Sequence, residues 1–249
     1  TLSNTDAATL AELVTINAAT TGAITLNALT IAANLSGSAA NLASAFAGTV
    51  TTHTGTVTIT NAPSVTQLVT INAATQGAIT LSTADGALSG SAADLVSAFV
   101  GTVTQHTGTV AITNAPNLAQ LLEINSETNG AITLAVTNGA LSGAAADLVS
   151  AFAGTVNTHT GTVTITDTPT VTQANTIDAA TAGAITATFA DDASDLATLT
   201  GTGNAYTLTL SNTDAATLAE LVTINAATTG AITLNALTIA ANLSGSAAN

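Results

Sequence analysis

Residues 55–81 read GTVTITNAPSVTQLVTINAATQGAITL, and two periodicities inside this stretch decide the fold. From Gly55 to Thr60 polar and apolar residues alternate, so Val57 and Ile59 point one way and Thr56, Thr58 and Thr60 the other, as in a half-buried strand. The β-branched residues that dominate it are those strands prefer. Ser64-Val65-Thr66-Gln67 then has the form of a capping box, an oxygen-bearing cap with Gln three residues on. Pro63 sits just before the cap, where a missing N–H costs little. Val65, Leu68 and Ile71 follow at helical spacing, and Gly77 is expected to end the helix as a C-cap. Ile79 and Leu81 then begin the next strand.

The same phrase returns along the chain. Its central part starts at Thr15, Thr70, Glu123, Thr176 and Thr223, at spacings of 55, 53, 53 and 47 residues. Residues 1–41 recur unchanged as residues 209–249, which sets a long period of 208 residues built of four quasi-repeats starting near 15, 70, 123 and 176. Each quasi-repeat splits again. One half opens with Gly-Ala-Ile-Thr at Gly22, Gly77, Gly130, Gly183 and Gly230, and the other with Gly-Thr-Val at Gly55, Gly108 and Gly161, with Tyr206-Thr207-Leu208 as a degenerate fourth member. Eight units in 208 residues average 26 each. The second kind of unit carries its own helix signal: Ser91 opens it, and Leu95, Ala98, Phe99 and Val103 are read as one face, with Gly101 as a place for the helix to stop. LSGSAA, at 35–40 and 88–93, is read as a loop–helix junction.

Strand–helix units of this length return the chain to the same edge and make parallel strands. The expected architecture is therefore an α/β solenoid over residues 1–249, with coils of about 26 residues, a parallel sheet on one side and helices on the other, similar in architecture to leucine-rich repeats. The alternative is an all-β parallel helix in which the Thr-rich segments add further strands. The chain begins inside a strand and stops early in a helix, with no polar terminal caps in view. It is accordingly expected to continue, or to stack end to end with copies of itself.

Composition narrows the function. There are 14 acidic residues, three His and no Lys or Arg, a net charge of −14, and 47% of residues are apolar. Phosphate contacts come mainly from Lys and Arg, so nucleic acid is not an expected partner. No apolar run reaches the roughly 18 residues of a membrane span. Without Cys there is neither a disulfide nor thiol chemistry, and without Met the other easily oxidised sulfur is missing too. Trypsin finds no site. The hydropathy is too high for a disordered chain.

The phrases LSGSAADLVSAFAGTVTTHTGTVTIT, assembled from 35–60 and 88–113, and TQLVTINAATQGAITL at 66–81 resemble the repeats of very large, Lys-poor extracellular proteins of aquatic bacteria, marine cyanobacteria among them. The resemblance covers essentially the whole chain. It implies an extracellular or cell-surface location and a structural role as filament, surface layer or matrix fibre, and it brings no catalytic residues with it. An adhesin-type module that binds glycan, mineral or ice is the alternative. No enzyme activity is expected: Gly-x-Ser-x-Gly does not occur, a phosphate loop lacks its Lys, and anything repeated with the scaffold reads as scaffold.

Three residue columns are the candidates for chemistry. His53, His106 and His159 recur every 53 residues in Thr-His-Thr-Gly, with Asn204 in the fourth place. Equivalent positions two coils apart are separated by ~10 Å, too far for one zinc, so a local hydrogen bond at a turn or helix end is expected instead. Asn61, Asn114, Asp167 and Asn212 follow the strand, where they can bond the backbone of neighbouring turns. Thr25, Thr58, Thr80, Thr133, Thr164, Thr186 and Thr209, with Ala111 as a break, are read as one outward column. Asp94, Asp147, Asp192 and Asp195 suit first helical turns. No cofactor is expected, and calcium is assigned no more than loose binding at the acidic surface, where it can bridge neighbouring fibres. The chain itself is the expected partner, by end-to-end continuation or lateral packing.

Overall fold

A computed structural model describes residues 1–3, 6–211, 213, 215–241 and 243. In chain order it contains α1 (Leu10–Ala18), α2 (Ala28–Ala32), β1 (Leu35–Gly37), α3 (Ala39–Ala45), β2 (Val57–Ile59), α4 (Val65–Ala74), β3 (Ile79–Leu81), β4 (Leu88–Gly90), α5 (Ala92–Phe99), β5 (Val110–Ile112) and α6 (Leu118–Glu127). Then follow β6 (Ile132–Leu134), β7 (Leu141–Gly143), α7 (Ala145–Ala151), β8 (Val163–Ile165), α8 (Val171–Ala180), β9 (Ile185–Asp191), α9 (Ala193–Leu196), β10 (Ala205–Leu210), α10 (Leu218–Ala227), β11 (Ile232–Thr233) and α11 (Ala236–Ala240). Strands and helices alternate, and every strand pairing among the described residues is parallel, so the class is α/β.

The chain divides into two compact units, the first formed by residues 1–114 and 123–135, the second by 115–122 and 136–249. The first unit holds two three-stranded sheets, ordered β1-β2-β3 and β4-β5-β6. Each strand pairs with one 22 residues on: Leu35 lies opposite Val57, and Val57 opposite Ile79. Leu88, Val110 and Ile132 repeat the arrangement. The alternation explains the burial. Val57, Ile59, Val110 and Ile112 are wholly buried, while Thr80 and Thr133 between their apolar neighbours are exposed. The second unit holds one sheet, β11-β10-β9-β8-β7.

Helices start where the caps predict. Thr9 with Glu12, Ser64 with Gln67, Thr170 with Gln173 and Thr217 with Glu220 form complete capping boxes. Asn117 and Gln120 exchange the same two bonds at 3.1 and 2.9 Å. In α4 the apolar triplet Val65, Leu68 and Ile71 is the buried face.

Several expectations need correction. LSG is not a loop: it forms β1, β4 and β7, so a 53-residue period holds three strands and two helices. Leu35, Leu88 and Leu141 are buried in these strands. At Gly37 and Gly143 a Cβ would lie 2.4 Å from the end of the Leu10 side chain and 2.3 Å from that of Leu118, so a side chain there would make the leucine turn away.

Gly77 is not a left-handed cap either. α4 ends at Thr75 in extended conformation, and the left-handed glycines among the described residues are Gly48, Gly101, Gly154, Gly201 and Gly203, all beyond the ends of the second kind of helix. What Gly77 provides is space, since a Cβ there would stand 1.8 Å from the carbonyl oxygen of Gly55. Val103 lies past the end of α5 and instead forms an isolated parallel bridge with Ile79.

Candidate functional site

The histidine column is the best-defined polar arrangement in the chain. His53, His106 and His159 are buried, with at most 2% of each exposed. Each reaches backwards and forwards in sequence. Nε2 donates to a carbonyl 20 residues earlier: Ala33 at 2.7 Å, Gly86 at 2.7 Å and Gly139 at 2.6 Å. Nδ1 lies 3.3, 3.3 and 3.2 Å from Oγ1 of Thr75, Thr128 and Thr181, 22 residues later. A carbonyl oxygen only accepts, so Nε2 carries a hydrogen and donates it.

Thr75 completes the arrangement. Its hydroxyl donates to the His53 carbonyl at 3.1 Å and accepts from the Gly77 N–H at 3.0 Å. The backbones of His53 and Thr75 are bridged in parallel. Each imidazole also packs at a tilt on a phenylalanine seven residues before it, with Phe46 and His53 ring centroids 5.6 Å apart. Burial holds the His53 imidazole below the usual histidine range, partly offset by the Ala33 carbonyl, which favours the charged ring. The bonds are thus long-range ties rather than the local turn bonds expected.

The Asn column caps helices. Oδ1 of Asn61, Asn114 and Asp167 accepts the first N–H of α3, α5 and α7, at Ala39, Ala92 and Ala145, each at 2.8 Å and 22 residues earlier. That N–H has no partner within its own helix. Replacing Asn61 by Ala should therefore lower stability by about 1 kcal/mol, whereas Asp, which serves at position 167, should be tolerated; thermal unfolding of the two variants compares them. Asn212 lies outside the described residues.

The Thr column is broken. Register places Ser36, Thr58 and Thr80 side by side, then separately Ser89, Ala111 and Thr133, then Ser142, Thr164 and Thr186. Thr186 lies opposite Ala205, and Thr209 opposite Ala190, so Thr209 leaves the column. Thr25 sits next to the isolated bridge of Ile24 with Val50. The break arises because the LSG strand opens a new sheet after Leu81 and again after Leu134.

A further column was not singled out from the sequence. Nδ2 of Asn17 donates to the carbonyls of Ala45 at 2.9 Å, the last residue of α3, and Ala47 at 2.8 Å, just beyond it. Asn72 does the same at the end of α5, to Ala98 at 2.9 Å and Val100 at 2.7 Å. The signal was the Asn that follows Ile at positions 17, 72, 125 and 225. In the fourth quasi-repeat this residue is Asp178, which cannot donate. There Asn204, standing in the histidine place, donates to Asp178 at 2.8 Å, so the polarity is reversed. Next to this pair Tyr206 is fully buried. Burial first, and the Asp178 charge second, push its phenol well above the usual range.

The acidic residues are divided. Asp94 in the first turn of α5 accepts from the Ser91 hydroxyl at 2.8 Å. Asp192 stands at the cap of α9 without capping it and accepts instead from the Ser211 and Thr213 hydroxyls, which hold its carboxyl below the usual range. Among the described residues no helix is long and apolar enough to cross a membrane. The chain matches no family model, no curated protein and no solved structure.

Proposed function

We propose that the chain is a structural repeat protein, whose coils of about 26 residues stack as an α/β solenoid that builds an extended filament, surface layer or matrix fibre outside the cell. The observation that carries this reading is the threefold recurrence of one set of ties. At His53, His106 and His159 a buried side chain binds the backbone 20 residues before it and faces a threonine 22 residues after it. Each repeat is thus fastened to the sequence on either side. Contacts that recur with the scaffold are suited to bearing load along it, because stability then adds up from nearest-neighbour terms. The unchanged return of 41 residues supports an array, and the net charge of −14 favours fibres that stay dispersed until divalent cations bridge them.

The test is to lengthen the chain by one further copy of residues 1–208 and compare the two by small-angle scattering. Stacking predicts an unchanged cross-section and a long axis increased by roughly 38 Å, eight coils at the ~4.8 Å strand spacing. A cross-section that grows with chain length, as in a compact globule, would refute it.

A further inference from the structure

The tetrapeptide Thr-Asn-Gly-Ala occurs twice, at 128–131 and 137–140, and the fold holds the two copies differently. Both asparagines are exposed. In the first copy the backbone is committed: the Asn129 N–H donates to the His106 carbonyl at 2.9 Å and the Gly130 N–H to Oγ1 of Thr128 at 2.9 Å. Gly130 also lies so close to the Gly108 carbonyl that a Cβ has no room. In the second copy, among the described residues, neither the Asn138 N–H nor the Gly139 N–H donates a hydrogen bond, and the Asn138 side chain makes none. Only the flanking carbonyls are held. That of Thr137 accepts from the N–H groups of Thr160 at 2.8 Å and Gly161 at 3.1 Å, and that of Gly139 accepts from Nε2 of His159 at 2.6 Å.

An uncommitted N–H at this place has a chemical consequence. The side-chain amide of Asn is open to attack by the backbone nitrogen of the next residue, and glycine, with no Cβ, lets that nitrogen approach. The Gly139 nitrogen bonds to Cγ of Asn138. The Cγ–Nδ2 bond breaks, and the amide group leaves as ammonia with the proton of the Gly139 N–H, closing a succinimide ring. A water molecule then opens the ring. Addition at Cγ restores the ordinary main chain, with aspartate at 138. Addition at the main-chain carbonyl carbon breaks its bond to the Gly139 nitrogen and leaves the chain running through Cγ, as isoaspartate. By either route one Asn and one water become one carboxylate residue and ammonia, and nothing is oxidised or reduced.

We propose that Asn138 is a site of spontaneous deamidation in the folded chain, and that its isoaspartyl product releases the His159 tie. The aspartyl product suits the fold. Asp85 holds the same place in the second quasi-repeat, where the Ala84 and Gly86 carbonyls accept the bonds that those of Thr137 and Gly139 accept here. Isoaspartate instead inserts a methylene into the main chain between two carbonyls that Thr160, Gly161 and His159 hold at a fixed spacing. Gly161 leaves no slack on that side, since its own Cβ would stand 2.4 Å from the Gly139 oxygen. Thr137 is held by two N–H groups and Gly139 by one ring, so the ring bond is the one that gives way.

Incubating the full chain at neutral and mildly alkaline pH tests the site, with Asn129 as the internal control. Chymotryptic cleavage after Leu134 and Leu141 puts the two asparagines on separate peptides, and mass spectrometry follows each. In the folded chain Asn138 should convert at least roughly tenfold faster than Asn129, the difference that one committed N–H makes to a barrier. The rate should rise with pH, because the attacking nitrogen must lose its proton. In denaturant the two should convert alike, since the tetrapeptide is the same. Equal rates in the folded chain, or conversion at Asn138 only after denaturation, would overturn the site. The tie is read separately by hydrogen exchange of the His159 Nε2–H, observed by NMR, with His53 and His106 as references. The isoaspartyl fraction should lose roughly tenfold or more of its protection at His159, while Asn138→Asp keeps it. An isoaspartyl chain with His159 as protected as the other two, or an Asn138→Asp chain that loses the same protection, would show that the added methylene does not release the ring.

Discussion

Gly130→Ala is expected to abolish the native packing around β5 and β6, with a loss of stability above ~4 kcal/mol. A Cβ at this position would stand 1.6 Å from the carbonyl oxygen of Gly108 and 2.5 Å from its carbonyl carbon. Both obstacles are backbone, so no side-chain rotation relieves them. The strands would have to part by more than an ångström, and the bond from the Val110 N–H to the Ala131 carbonyl, 2.9 Å long, lies directly alongside. Gly77→Ala should behave in the same way, because its Cβ would come 1.8 Å from the Gly55 oxygen. The control is Gly101→Ala. A Cβ there meets nothing within 4 Å, and the penalty is only that of a left-handed φ of +83°, about 1–2 kcal/mol. Chemical denaturation and amide exchange should show a large loss for Gly130→Ala and a small one for Gly101→Ala. Equal losses would mean that the two backbones do not approach each other so closely.

His53→Ala is the second large effect, about 3–5 kcal/mol. It removes the donor that satisfies the Ala33 carbonyl, leaves a cavity beside Phe46, and takes away the ring facing Thr75. His53→Asn should recover part of the loss, since Asn204 fills the corresponding place in the fourth quasi-repeat. The same histidine gives a pH dependence with a definite sign. Its folded pKa lies below the unfolded value of about 6.5, so the unfolded chain binds the proton more readily. The stability it contributes is complete above about pH 6.5 and declines as the pH falls from there toward the folded pKa. Thermal midpoints of the wild type should drop through that window, and the drop should be smaller in His53→Asn, which has no group to titrate at this position.

Much of the local structure was legible in the chain. Alternation around Val57 and Ile59 marked the VTI strand, and Ser64 with Gln67 marked the start of α4, because both signals need only a few adjacent residues. LSG was missed for the complementary reason. Three residues ending in Gly show no alternation, and what makes them a strand is pairing with residues 22 positions on. The Thr register failed with it, since a strand inserted between Leu81 and Val110 restarts the ladder and carries Ser89, rather than Thr80, to the side of Ala111. The residues of the His and Asn columns could be picked out by their recurrence, but not which atoms they hold.

The sequence by itself determined the repeat, the parallel α/β class, the helix starts and the apolar faces, since these follow from spacing and from side-chain chemistry over short distances. Tertiary structure alone decided that the histidines are buried ties and that Gly77 and Gly130 serve close backbone approach rather than a turn. Those outcomes depend on which backbone arrives from some twenty residues away, and no short window of residues contains both partners.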